Sequence, residues 1–270
     1  MAEVNPAELF ELQSHGSDVF VGVGPRYPWG GLFGGQIVAQ ALKAAAETVE
    51  AGTMVHSLRA YFIRRGDADE PIRFEVDRIR NGRSFSTRRV VARQAVGAIL
   101  NLEASFQFEE DTEDLQTVQM DRSIPGPDEL PSDSWSEAFD RRQIDAATLG
   151  DVRGQGRGRI AHWMRTKHPL PDDQLLHRCW VAYMSDELPI DSIHAAHPTL
   201  HDREHVPSMS ASLDHSMWFH RPVRADEWHL YDVSCVSYQQ ARGLTIGNVF
   251  SLDGRHVATF AQEGLVRRGR

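Results

Sequence analysis

Cysteine is nearly absent: Cys179 and Cys235 are the only two in 270 residues, and each falls inside an apolar pattern. A disulfide framework is therefore excluded, and two buried free thiols in a reducing cytoplasm are expected. Positive charge is also short, with 29 Lys and Arg against 38 Asp and Glu and a net charge of -9. Nucleic-acid binders carry a basic face, so no nucleic-acid partner is expected. No apolar run approaches the length of a membrane span, and no membrane partner is expected. The start, Met1 to Pro6, lacks the basic and apolar segments of a secretory signal, and the end, Arg267 to Arg270, is not a peroxisomal tripeptide. A cytoplasmic location is the expectation. Two catalytic signatures are missing as well. No Gly-x-Ser-x-Gly pentapeptide offers a nucleophile elbow, and Gly22-x-Gly24 followed by Gly30-Gly31 lacks dinucleotide spacing. Neither a nucleophile-elbow hydrolase nor a dinucleotide site is expected.

What the chain does have is a repeat of itself. His56-Ser57-Leu58-Arg59-Ala60-Tyr61-Phe62 aligns with His215-Ser216-Met217-Trp218-Phe219-His220-Arg221, and at the same offset Asn81-Gly82-Arg83-Ser84-Phe85 meets Gln240-Ala241-Arg242-Gly243-Leu244. Further on the offset slips: Gly97 meets Gly254, and Ser105-Phe106-Gln107 meets Phe260-Ala261-Gln262. Two copies are too few for a solenoid. Two like domains in one chain can imitate a symmetric dimer, with one composite site where they meet.

Each copy reads as a helix followed by antiparallel strands. In the first, Asp18 to Val23 is a short strand, and Ile37, Val38, Ala41, Leu42, Ala45 and Val49 give a helix over about 35–48 with one buried stripe. Ile72, Phe74 and Val76 then alternate with Arg73, Glu75 and Asp77, and Asn81-Gly82 signals a hairpin before strands at 84–92 and 98–108. In the second, Leu175, Leu176, Cys179, Trp180, Tyr183 and Met184 form the stripe of a helix that stops near Glu187, because Pro189 disfavours helical geometry at Leu188. Strands are expected over 209–219, 228–238, 244–252 and 255–262. The fold class is α+β, with units at 1–110 and 137–270 joined by an acidic, Pro-containing linker at 111–136 that composition makes a solvated segment.

Six blocks carry a resemblance to a known family. They are Phe33-Gly34-Gly35-Gln36, Val55-His56-Ser57-Leu58, Asn81-Gly82-Arg83-Ser84-Phe85, the run from Ser212 to Pro222, Ala241-Arg242-Gly243 and Ala261-Gln262-Glu263-Gly264. As an ordered set they resemble acyl-CoA thioesterase II. The resemblance implies a double hot-dog fold, two tandem units each with an antiparallel sheet wrapped around a long central helix. It implies an acyl-CoA substrate, no cofactor, no metal, and self-association as a dimer or tetramer. That family activates water with an Asp, a Thr or Ser, and a Gln, which fall here on Asp186, Ser212 and Gln262. Thioester hydrolysis needs a base for the attacking water, the role Asp186 would take; Ser212 and Gln262, each able to donate and accept, would orient it. Asp186 stands in the last turn of its helix, where the macrodipole disfavours a carboxylate by roughly 0.3–1 kcal/mol. The first copy has Thr48 at the matching position, so one site per chain is expected. The Gly34-Gly35 helix start is a candidate source of oxyanion donors.

Other constellations are weighed beside this one. Asp214-His215 suggests a dyad, but strand neighbours point to opposite faces; Ser212, Asp214 and Ser216 would share a face that His215 does not, leaving His215, like His56, structural. His201-x-x-Glu204-His205, with His194 and His197 nearby, is a zinc-type string, yet Pro198 and Pro207 leave it barely two turns, and a His-rich loop is expected. Arg78, Arg80, Arg83, Arg88, Arg89 and Arg93 could attract coenzyme A phosphates, though alternation splits them between two faces. The alternative from another class is a catalytically silent acyl-CoA or lipid-binding module.

Overall fold

The computed structural model describes residues 8–149, 158–197, 199 and 208–268. The chain divides into two compact units: one takes Met1–Asp114, Leu170–Tyr183 and Ser216–Phe219, the other Leu115–Pro169, Met184–His215 and His220–Arg270.

In the first unit, strands β1 (Gln13–Ser14), β2 (Val19–Gly22), β3 (Thr53–Phe62), β4 (Ile72–Asn81), β5 (Phe85–Gln94) and β6 (Gly97–Phe108) pair antiparallel in the order β1-β2-β4-β5-β6-β3. Helix α1 (Gly34–Ala46) packs on the face of β2 to β6. The strands alternate as their sequence requires: Phe74, Val90, Ala92, Leu100 and Leu102 are buried, while Arg73, Arg89 and Glu103 look outward. Instead of one buried stripe, α1 is enclosed on nearly every side, with only Gly34, Lys43 and Ala46 part-exposed. Its composition allows this, because its polar members Gln36 and Gln40 are hydrogen-bonded. The Tyr27 hydroxyl donates to Gln36 Oε1 at 2.8 Å, and Gln40 Nε2 donates to the Leu9 and Val23 carbonyls.

The second unit holds β7 (Phe139–Gln143), β8 (Arg159–Thr166), β9 (Ser208–Ser212), β11 (His229–Gln239), β12 (Arg242–Ser251) and β13 (His256–Arg268), ordered β13-β12-β11-β8-β7 with β9 on β13. Strand β10 (Asp214–Phe219) and helix α2 (Gln174–Ser185) each contribute residues to both units. A further helix, α3 (Pro189–Ala196), lies on β8, β9 and β11 to β13. It was not foreseen: Pro189 ends the helical reading of α2 but occupies the first turn of α3, where its missing N–H costs nothing. Strands β7 and β8 were also unforeseen. Cys179 is buried as expected, whereas Cys235 is part-exposed.

The 111–136 segment departs from its composition. Val118, Met120, Ile124 and Leu130 pack on a core of Ile144, Leu149, Trp163, Leu230 and Phe250. Gln116 Nε2 donates to the Gly254 carbonyl at 3.0 Å, Gln116 Oε1 accepts from the His256 N–H at 2.9 Å, and Trp163 Nε1 donates to the Pro125 carbonyl at 2.9 Å. Sparse apolar residues spaced along an extended strap leave no period to read, yet they pack, part-buried, against the core. No described helix is long and apolar enough to cross a membrane.

Candidate functional site

The turn from α2 into α3 sets up the site. Helix α2 ends at Ser185, Asp186 and Glu187 follow, and α3 begins at Pro189. Glu187 anchors this corner, its Oε1 accepting from Trp135 Nε1 and Arg141 Nη1, both at 2.6 Å. Burial pushes the Glu187 carboxyl up, and the Trp135 bond and Arg141 charge work against it. Two glycines seat α3: a Cβ on Gly243 would lie 2.6 Å from Ile193 side-chain atoms, and one on Gly264 2.5 Å from Ile190 Cδ1. These are glycines of the Ala241-Arg242-Gly243 and Ala261-to-Gly264 blocks. Their role is to let the helix close on the sheet beside Ser212, which pairs with Gly264.

The three residues expected from sequence converge within the second unit. Asp186 is not at a frayed, exposed end; it is only 9% exposed. The Ser212 hydroxyl donates to Asp186 Oδ1 at 3.3 Å, and Gln262 Nε2 donates to Ser212 Oγ at 2.8 Å. Gln262 is fully buried, and its backbone carbonyl accepts from Thr245 Oγ1 at 3.1 Å. Ser212 and Gln262 sit diagonally across the β9–β13 ladder, within reach of each other on one face.

His215 corrects the sequence reading. Strict alternation would put Ser212 and His215 on opposite faces, but Leu213 interrupts the strand between β9 and β10, its N–H donating to the Glu263 carbonyl at 2.9 Å. The irregularity shifts the parity by one residue, as a bulge does. Asp214 turns away, accepting from the Glu263 N–H at 2.7 Å, and burial pushes its carboxyl up. His215 turns inward and is fully buried. Its Nδ1 lies 2.5 Å from Gln262 Oε1 and its Nε2 lies 2.9 Å from Ser185 Oγ. The ring stacks on Phe260, centroids 5.8 Å apart. Burial holds its pKa down to about 4, so the ring is neutral at physiological pH. Asp214 and His215 do not form a dyad; His215 joins Gln262 instead. Nothing in Leu213-Asp214-His215 announces the slip, which is why residue counting missed it.

The remaining candidates sort differently. A Cβ on Gly35 would lie 2.2 Å from the Tyr183 carbonyl oxygen, so that glycine admits another segment of chain rather than a ligand. Arg78, Arg89 and Arg93 pair with Asp18, Asp77 and Glu75 on the outer face, while Arg88 points inward and is 1% exposed. His56 Nε2 lies 2.8 Å from Ser105 Oγ. Among the described residues no cluster of three or more His, Cys, Asp or Glu could hold a metal ion. His201, Glu204 and His205 lie outside the described residues; His194 is buried in α3.

Comparison with known proteins gives a consistent picture. Residues 135–265 match the family model for acyl-CoA thioesterase, and residues 24–107 match that for the acyl-CoA thioesterase N-terminal domain. The chain is 35% identical to acyl-coenzyme A thioesterase 8 of Mus musculus, over 87% of this chain and 80% of that one. It is similar in structure to acyl-CoA thioesterase II TesB2 of Mycobacterium marinum, with a TM-score of 0.86 and 39% identity over 98% of this chain and 97% of that one. A hot-dog-fold protein of unknown function from Alicyclobacillus acidocaldarius superimposes with a TM-score of 0.79 at 20% identity over 99% of this chain and 100% of that one, which supports the fold.

Proposed function

The chain belongs to the acyl-CoA thioesterase family of double hot-dog thioester hydrolases, and on that premise we propose that it hydrolyses acyl-CoA to a free acid and coenzyme A by direct attack of water, with Asp186 as base. The observation that supports this reading is Ser212 Oγ bridging Asp186 Oδ1 and Gln262 Nε2 at 3.3 and 2.8 Å. A water at this corner gives its proton to the Asp186 carboxylate as its oxygen bonds to the thioester carbonyl carbon. The tetrahedral oxyanion then collapses, the C–S bond breaks, and the proton on Asp186 passes to the departing thiolate. Atoms balance without a cofactor. Ser212 and Gln262 position the water, and their own bonds, Ser212 donating to Asp186 and Gln262 to Ser212, hold the carboxylate beside it. A positioned base contributes about 10²–10⁴ in rate. The two thiols, both free, suit the reducing cytoplasm in which this reading places the enzyme.

Free-thiol release from short- to long-chain acyl-CoA esters, by wild type beside Asp186→Asn, tests the reading. Turnover that collapses in a folded variant supports it. Absence of turnover by wild type on every ester leaves a binding module, and equal turnover by both proteins removes Asp186 from the base role.

A further inference from the structure

The hydrogen-bond chain around Gln262 has a direction, and the direction gives His215 a task. Resting on the reading of Asp186, Ser212 and Gln262 above, we infer that His215 is a positioning residue that selects the orientation of the Gln262 amide, and thereby makes Ser212 a donor to Asp186.

A carboxylate only accepts, so the contact at 3.3 Å requires the Ser212 O–H to donate to Asp186. With its one proton committed, Ser212 Oγ must accept from Gln262, so the NH₂ end of that amide faces Ser212, at 2.8 Å. Oε1 then faces His215 Nδ1 at 2.5 Å, and since a carbonyl oxygen only accepts, Nδ1 carries the ring proton. Burial keeps the ring neutral, which leaves Nε2 as an acceptor facing Ser185 Oγ at 2.9 Å. The polarity runs Ser185, His215, Gln262, Ser212, Asp186.

The opposite polarity fails at one point. Were the ring protonated on Nε2 alone, Nδ1 would call for the amide NH₂, Oε1 would turn to Ser212, and the Ser212 proton would be drawn away from Asp186. The base would then face an oxygen lone pair. An amide is nearly symmetric in shape, so packing alone does not choose between its two orientations; the Nδ1–H of His215 does. The Leu213 irregularity, which turns His215 inward, is the backbone feature that makes this possible.

The test is a double-mutant cycle read as kcat and KM. His215→Phe keeps a ring against Phe260 and removes both nitrogens; kcat is expected to fall roughly 10- to 100-fold with KM within about twofold, the scale of a misplaced reacting group. In a Gln262→Ala background the same change is expected to cost less than about twofold, because there is no amide left to orient. His215→Asn, which keeps an N–H near the Nδ1 position, is expected to recover most of kcat, and His215→Gln, with its N–H near Nε2, is not. An equal loss in both backgrounds, or equal rates for the Asn and Gln variants, overturns the inference in favour of a purely structural histidine, and the Asn and Gln pair decides it if the Phe variant does not fold. If Gln262→Ala and Asp186→Asn both turn over like wild type, the catalytic reading itself has failed, which is a separate outcome.

Discussion

At the C-terminal end of α1 the chain buries a cation, and just beyond the end of α2 it buries an anion. Arg88 of β5 reaches the first of these ends: its Nε donates to Thr48 Oγ1 at 2.7 Å, its Nη2 to the Thr48 carbonyl at 2.8 Å and Asn81 Oδ1 at 2.6 Å, and its Nη1 to the Arg80 carbonyl at 2.9 Å. A guanidinium there meets the negative end of the helix dipole and the carbonyls that a helix leaves unpaired. Asp186 has the opposite sign at the equivalent place, against the dipole. The ladders show how the two units diverged. Arg88 stands as far before the turn glycine Gly97 as Thr245 stands before Gly254; Arg88 pairs with Ala104, and Thr245 with Gln262. The first unit thus has Thr48, Arg88 and Ala104 where the second has Asp186, Thr245 and Gln262. The first set satisfies a helix end, and the second places a carboxyl group there beside Ser212 and Gln262. The turn glycines, both at positive φ (107° and 89°), are common to the two copies while these inward side chains differ.

Breaking each side of this comparison has a different signature. Asp186→Asn has the largest expected effect, a fall in kcat of about 10²–10⁴ with the melting temperature little changed, measured by thiol release and circular dichroism. Arg88→Met is expected to do the reverse. Losing the guanidinium strands the Thr48 and Arg80 carbonyls, for a cost of about 3 kcal/mol in chemical denaturation, while folded protein keeps kcat within about twofold. Loss of turnover without loss of stability would tie Arg88 to the chemistry after all. Gly264→Val drives a side chain into Ile190 and Ile193; about 1–3 kcal/mol of stability is expected to go, and kcat with it, because Ser212 pairs with this residue. A last probe, needing no substitution, is pH. Burial holds His215 and His256 down to about 4 and His162 to about 3, below the ordinary histidine value of 6.5. The unfolded chain binds those protons first, so stability is complete above about pH 6.5 and declines as pH falls through 4. Melting temperatures across that range check the sign, and a flat profile would deny that these rings are buried neutral.

Much of this was legible in the chain. Period-two alternation marked β4 from Ile72 to Asp77, and helical spacing marked α1 and α2. The repeat exposed the two turn glycines, and the family resemblance selected Asp186, Ser212 and Gln262, which the fold brings within hydrogen-bonding distance in one unit. What was hidden has physical causes. The strap from Gln116 to Leu130 has too few apolar residues to give a period. Helix α3 hides behind a proline that both stops one helix and starts another. The repeat alignment set Gln107 against Gln262, whereas the ladders set Ala104 there, opposite Arg88 as Gln262 is opposite Thr245, and the irregularities at Val55 to Ser57 and at Leu213 fall at different points of the two copies. The same kind of slip concealed His215. Alternation split the six arginines between two faces without saying which were buried; Arg88 is the buried exception on a strand whose outward neighbours Arg89 and Arg93 pair with acids.

The central claim is that Asp186 acts as a base on water and does not itself attack the thioester. One turnover in ¹⁸O-labelled water, with enzyme in excess over acyl-CoA, tests it most directly. Direct attack puts one labelled oxygen into the acid released in that first turnover and none into the protein. An unlabelled first-turnover acid, with the label appearing on the Asp186 carboxylate, would mean a covalent acyl-enzyme and contradict the account.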